Sequence, residues 1–307
     1  MAVCGGRPYG ARTSASRRME DPCMASVTLY DAPPRLEGFA LPDLPRSAWA
    51  DAAPDARAQS QGLREALDRG EVTAWFQPVH RPSDGALIGA EAFARWIRPG
   101  RPAVSAPALT ALAERAGVST RITEQVVAQA LAFRRRIAAP EGFSIAVNLS
   151  SADLRDRGTV ERLCARTDGC GASPGELVLE IAEGRLVDAP RSAIDVLARL
   201  RQRGFGLAVD DFGSGGSSLA LLAQVPFGQL KVDARFLLAA PTDRVAEGIV
   251  DACAHLGRRL GLTLAAEGVE TPAHRALCDR FGIVAAQGTR PGAAVPASEF
   301  AARHRAV

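Results

Sequence analysis

The chain has 307 residues, 47% of them hydrophobic and 23% charged, enough to bury a full core without disulfide or metal staples. Its net charge of +3 and pI near 8.7 are too mild to declare a surface for nucleic acid or anionic membrane. Aromatic residues make up only 5%, which argues against base-stacking platforms, and no apolar run approaches the roughly 20 residues needed to span a bilayer. Six cysteines, Cys4, Cys23, Cys164, Cys170, Cys253 and Cys278, match neither a zinc spacing nor a disulfide framework. The first residues lack the apolar stretch of a signal peptide. A soluble, cytoplasmic protein with no membrane span and no DNA or RNA polymer as partner is expected.

Residues 1–58 are rich in Pro, Ala and Arg without sustained periodicity and read as a flexible N-terminal arm. From 59 to 304 short apolar runs alternate with amphipathic patterns. A helix near 60–70 precedes a strand at 73–79, a Pro-Ser-Asp-Gly turn at 82–85 and a second strand at 86–93, which the turn makes antiparallel to the first. A helix around 122–131 follows, then a strand at 144–149. The alternation then repeats, with strands at 176–182, 205–210, 228–232, 261–266 and 283–286 separated by helices at 190–203, 217–223, 243–259 and 272–281. Strands joined through helices demand parallel crossovers. About eight of them in a segment close to ~250 residues predict an α/β fold, a modified TIM-type (β/α)8 barrel with one antiparallel strand near the start.

Polar residues stand where these strands finish: Glu91, Asn148, Glu180, Asp210 with Asp211, Lys231 with Asp233, Glu267 and Gln287. In Leu177-Val178-Leu179-Glu180-Ile181-Ala182, alternation sets Glu180 opposite the three large aliphatics, so it points into the barrel if they meet the helices. A buried carboxylate costs several kcal/mol unless paired or metal-bound. Several acids converging on the carboxyl-terminal face, where barrels build active sites, call for a cation. All-oxygen ligands favour magnesium, manganese or calcium. Asp210 and Asp211 cannot both face inward along a regular strand. Gly213, Gly215 and Gly216 follow, so the backbone is expected to turn there and aim both at the mouth. Adjacent acids suit two bridged metals and phosphodiester hydrolysis. The chain holds 36 arginines and a single lysine, Lys231. In so arginine-rich a chain, that survivor marks a position where a compact ammonium is required.

Phe-Gln-Pro-Val at 76–79, Gly-Ala-Glu-Ala-Phe-Ala-Arg-Trp at 89–96, Val-Asn-Leu-Ser at 147–150 and Glu-Ile-Ala-Glu at 180–183 recur with Asp-Asp-Phe-Gly-Ser-Gly at 210–215. Leu-Lys-Val-Asp at 230–233, Ala-Glu-Gly-Val-Glu-Thr at 266–271 and Gln-Gly at 287–288 complete the order. In this set the chain resembles the EAL-domain family, which hydrolyses cyclic di-GMP to linear pGpG. The resemblance implies that Glu91, Asn148, Glu180 and Asp210 hold one Mg2+ or Mn2+ and that Asp210, Asp211 and Glu267 serve a second; Ca2+, larger and poorly suited to the geometry magnesium demands, is expected to inhibit. It implies Lys231 and Glu267 as catalytic groups acting on the attacking water together with Asp211. By the same resemblance Gln77 and Arg95 contact the dinucleotide, Gln287 supports the metal shell, and Glu183 anchors the 212–218 loop that couples the site to homodimer contacts. Departures from the family pattern are Phe93, Ala182, Gly216, Gly228 and Ala293-Ala294. A catalytically inactive cyclic di-GMP receptor or a protein-interaction module is the alternative reading.

The bland readings are structural. His80, His255, His274 and His304 are scattered, Arg134-Arg135-Arg136 reads as a solvated helix end, Asp233 as an acid beside Lys231 or a strand cap, and Glu270 as the cap of the following helix.

Overall fold

The computed structural model describes residues 56–98, 100–187, 190–214, 222–288 and 292–304. The expected arm up to residue 55 and most of the expected helix at 217–223 lie outside the described residues. Ten strands are present: β1 (Val72–His80), β2 (Leu87–Arg98), β3 (Arg101–Val104), β4 (Ser144–Asn148), β5 (Leu177–Ala182), β6 (Gly206–Phe212), β7 (Gln229–Val232), β8 (Thr263–Ala266), β9 (Ala285–Ala286) and β10 (Val295–Pro296). The described helices are α1 (Ala56–Asp68), α2 (Ala106–Ala116), α3 (Ser119–Arg134), α4 (Ser151–Arg155), α5 (Thr159–Cys170), α6 (Glu183–Val187) and α7 (Arg191–Gln202), followed by α8 (Ala234–Ala239), α9 (Arg244–Leu260), α10 (Pro272–Phe281) and α11 (Ala297–Arg303). Helix α1 begins ahead of the expected boundary at 59.

Strands β2, β4, β5, β6, β7, β8 and β9 pair in parallel in that order, and β1 closes the ring by pairing antiparallel with both β2 and β9. The barrel is therefore closed and eight-stranded, with its antiparallel strand at the start, and β3 and β10 extend the sheet outside it.

Period-2 burial fixes which residues face the lumen. Leu177, Leu179 and Ile181 of β5 are fully buried on the side opposite Glu180. Helix α7 buries Ala193, Val196, Leu197 and Leu200 at helical spacing. Each such Leu or Ile contributes about 1.5–3 kcal/mol by leaving water. On β1 the outward residue Phe76 stacks on Phe133 of α3 at 4.0 Å and meets Phe300 of α11 edge-on, leaving Gln77 on the inward face directly opposite Glu91.

Strand β2 differs from the expectation. It runs on to Arg98, so Glu91 sits within a strand rather than at its end. The reason is register: β1 and β2 pair from His80↔Leu87 out to Val72↔Trp96, whereas only Gly89–Ala92 pair with β4. Glu91 thus lies at the rim of the parallel ladder although its strand continues beyond. Helices α2, α5 and α8 were not expected either. Helix α2 carries its boundary signals in Ser105, Pro107 and a left-handed Gly117.

Cys253 and Cys278 are buried and their thiols are pushed up to about 11 and about 12, mainly by desolvation, which makes them inert core groups. No described helix is long and apolar enough to cross a membrane.

Candidate active site

Register brings the polar positions together. Asn148 of β4 pairs with Glu180 of β5, and Ala182 of β5 pairs with Asp210 of β6, while Lys231 of β7 pairs with Ala265 of β8, just before Glu267. The Lys231 side chain is 2% exposed, and its Nζ lies 2.8 Å from Glu180 Oε2, 2.9 Å from Glu267 Oε1, 3.0 Å from Glu91 Oε2 and 3.1 Å from Asp210 Oδ1. Four carboxylates from four different strands or strand ends thus share one ammonium. Asn148 donates its Nδ2 to Glu91 Oε1 at 2.8 Å, which frees its carbonyl oxygen as an acceptor. Gln287 donates to Glu91 Oε2 at 3.1 Å.

One ammonium does not balance four carboxylates, and their proton affinities diverge accordingly. Burial and the neighbouring Glu91 hold Glu180 well above the usual carboxylate range. Burial, with Asp210 and Glu91 beside it, pushes Glu267 up to about 7. For Glu91 the burial penalty is outweighed by Lys231, which pulls it below its ordinary value. Burial opposes the charge on Lys231, yet Glu180, Glu91, Asp210 and Glu267 together raise it well above the usual lysine value.

Asp210 Oδ1 is buried and within ion-pair distance of Lys231 but receives no directed hydrogen bond. Oxygens of Glu91, Glu180 and Asp210 lie within 4.8 Å of one another. An unsatisfied carboxylate oxygen in an all-oxygen donor set fits a hard divalent cation such as magnesium or manganese.

Asp210 and Asp211 are separated within β6, not by the glycines after it. The pairing of β6 with β7 shifts between Val209 and Phe212, and Asp211 is the only non-glycine with positive φ among the described residues, at 54°. Aspartate tolerates this left-handed geometry better than most residues. The bulge sends Asp210 to Lys231 and leaves Asp211 exposed at the cleft. Desolvation, then repulsion from Asp210 and Asp233, pushes Asp211 up to about 6.

Behind the cluster, Glu183 accepts the backbone N–H of Gly213 at 2.9 Å, fixing the start of the segment whose continuation from 215 to 221, Gly216 included, lies outside the described residues. Gly288 follows Gln287 because a Cβ there would stand 2.3 Å from Val269 O. Gln77 reaches Gly288 O at 3.5 Å.

A cleft of about 590 Å³ opens over Glu91, Asn148, Asp210, Asp211 and Glu267 and runs on beneath α2, past Phe93 and Ala182. Lys231, Glu180 and Gln287 lie below it. Gln77 and Arg95 are not among its lining residues. Arg95 follows Glu91 and Phe93 on the same face of β2, opposite Thr73, with its guanidinium over the rings of Phe93 at 5.5 Å and Trp75 at 6.0 Å. The sequence reading missed two charged residues that line the cleft, Glu114 and Arg185. Among many arginines, nothing local to the sequence singles out Arg185.

Other residues take structural places. Asp233 caps α8 and pairs with Arg235 at 2.8 Å. Thr271 rather than Glu270 provides the side-chain cap of α10. Arg134 pairs with Glu176 at 3.4 Å, and His274 is buried with its Nδ1 accepting from Glu270 N.

The chain is 32% identical over 259 residues to the cyclic di-GMP phosphodiesterase RocR of Pseudomonas aeruginosa, covering 84% of this chain and 65% of that protein. It is 34% identical over 264 residues to an uncharacterized protein of Mycobacterium tuberculosis, covering 82% and 86%. It spans under two thirds of RocR and 37% of the bifunctional diguanylate cyclase/cyclic di-GMP phosphodiesterase MucR of Pseudomonas aeruginosa. Among solved structures, the PaMucR phosphodiesterase in complex with c-di-GMP superimposes with a TM-score of 0.74 at 32% identity, covering 79% of this chain and 99% of that one. The family model of the EAL domain matches residues 60–290, a span that contains every carboxylate around Lys231, and the chain belongs to the EAL domain family.

Proposed function

We propose that the chain is a metal-dependent phosphodiesterase that hydrolyses cyclic di-GMP to linear pGpG. The observation that carries this reading is the set of four carboxylates around one buried ammonium at the open end of the barrel. RocR and PaMucR, to which the chain is similar, are named as phosphodiesterases of this substrate or solved with it.

Two magnesium or manganese ions, one held by Glu91, Asn148, Glu180 and Asp210 and the other by Asp210, Asp211 and Glu267, would neutralise charge at phosphorus and make water acidic enough to attack near neutral pH. The protein's own groups do the rest. Glu267, partly exposed to the cleft, accepts the proton of the attacking water. Lys231 orients that water and steadies the negative charge that develops on the phosphoryl oxygens. Gln287 and Asn148 fix the rotamer of Glu91 through its two oxygens. Gln77 and Arg95, on the β1–β2 ribbon beyond the cleft, orient the dinucleotide. Glu183 ties this site to the segment after Phe212, through which a homodimer partner would act, and a cytoplasmic setting suits the substrate. Calcium, larger and tolerant of irregular coordination, would occupy the site without supporting the reaction.

The test is incubation of the purified chain with cyclic di-GMP and manganese, followed by chromatography. The expected product is pGpG, absent with Glu91→Ala and Lys231→Ala and suppressed by calcium. Binding of the dinucleotide without product would instead establish a receptor.

A further inference from the structure

We infer that Glu114 and Arg185, which line the same cleft as the carboxylates, read the edge of a guanine base and set a preference for guanine over adenine. The inference rests on the proposed substrate and assigns part of its recognition.

Arg185 projects from the five-residue α6 across the cleft toward α2. Its Nη1 donates to Leu149 O at 3.3 Å and its Nη2 stands 3.7 Å from Glu114 Oε1. That ion pair is beyond hydrogen-bond length, so both groups keep unused capacity: three or more N–H donors on one side, carboxylate acceptors on the other. The Arg185 side chain is 26% exposed and that of Glu114 51%, and both line the same cleft as Glu91 and Asp210. Pro107 of α2, an exposed apolar residue, lines the same cleft and offers an apolar surface to one face of a heterocycle.

The pairing of charges selects the ligand. A lone arginine in such a position would suit a phosphate. With a carboxylate beside it, a second anion is repelled, and a neutral ring that shows adjacent acceptors and donors is favoured. Guanine offers O6 and N7 as acceptors and N1–H and N2–H as donors, complementary to guanidinium and carboxylate respectively. Adenine presents its N6 amino donors where guanine has O6, and an acceptor at N1, so donor would face donor and acceptor would face acceptor. A mismatch of this kind at a built polar site is strongly rejected.

The test is equilibrium binding of cyclic di-GMP and cyclic di-AMP to the full chain by calorimetry, with calcium as the cation. The wild type is expected to bind cyclic di-GMP at least tenfold more tightly. Arg185→Ala is expected to weaken cyclic di-GMP about tenfold or more with little change for cyclic di-AMP, so that the ratio collapses. Glu114→Gln is expected to reduce the ratio in the same direction, and Arg185→Lys, which lacks the planar fork, to leave it collapsed. Equal weakening of both dinucleotides by Arg185→Ala, or restoration by Arg185→Lys, would overturn the inference and mark a phosphate contact. An unchanged ratio in every variant would overturn it also. A wild type that binds neither dinucleotide would overturn the proposed function together with this inference, whereas pGpG formation with an unchanged ratio would sink the inference alone. Both residues are at the surface of the cleft, so unchanged circular dichroism and melting are the fold control.

Discussion

Two regions of this barrel bury acids, and they are held in opposite ways. Asp153 in α4 is 1% exposed, and its Oδ2 accepts from Ser150 N at 2.8 Å, Ser150 Oγ at 2.5 Å and Thr123 Oγ1 at 2.8 Å. Three neutral donors converge on one carboxylate, which closes a capping box and leaves that oxygen fully used. At the rim, four carboxylates divide one ammonium and two side-chain amides among themselves, and Asp210 Oδ1 has no directed donor. Burial of an acid is therefore not what marks a site. A shortage of donors is, because it leaves charge that must be met by bound protons or by an added cation.

This contrast is broken most severely at Lys231. Lys231→Met should reduce turnover of cyclic di-GMP by about 10³-fold or more, as expected when one group both positions the nucleophile and stabilises charge. Measured without metal, the same variant should lose about 3–5 kcal/mol of unfolding free energy, the cost of removing one partner from a buried ionic cluster. Asp153→Ala gives the opposite pattern. Chemical denaturation should show a loss of about 1–3 kcal/mol from the orphaned donors, while kcat at a temperature below melting stays within about twofold.

The rim acids also set a pH dependence. Glu267 at about 7 and Asp211 at about 6 lie above ordinary carboxylate values. A carboxylate whose folded value is raised contributes stability that is fully present below its unfolded value and lost as pH rises through the folded one. In EDTA, melting temperature should thus fall between about pH 4 and pH 7.5, and Glu267→Gln should flatten the slope. The smallest effect is expected for Phe93→Leu, which exchanges one apolar side chain for another beside Arg95. It should shift KM by less than about tenfold and leave kcat nearly unchanged.

Much of this was legible in the chain itself. Period 2 in Leu177–Ala182 sets Glu180 inward, and parallel register then carries Asp210, Lys231 and Glu267 to the same height. The lone lysine stood out against 36 arginines. Less legible was everything decided by tertiary register. That Glu91 lies within a strand follows from how far β1 and β2 stay paired, and the bulge that parts Asp210 from Asp211 is set by a shift against β7 rather than by the nearby glycines. The pairing of Glu114 with Arg185 was invisible because they are 71 residues apart in the numbering and meet only across the cleft that both line.

The most direct test of the central claim, that the shortage of positive charge at the rim is a cation site, is calorimetric titration of the metal-stripped chain with manganese. Saturable binding is predicted, with the folded state stabilised by about 2.7 kcal/mol at a hundredfold excess over Kd, and both effects should vanish in Glu180→Gln while surviving in Asp153→Asn. No heat of binding and an unchanged melting temperature in the wild type would contradict the account.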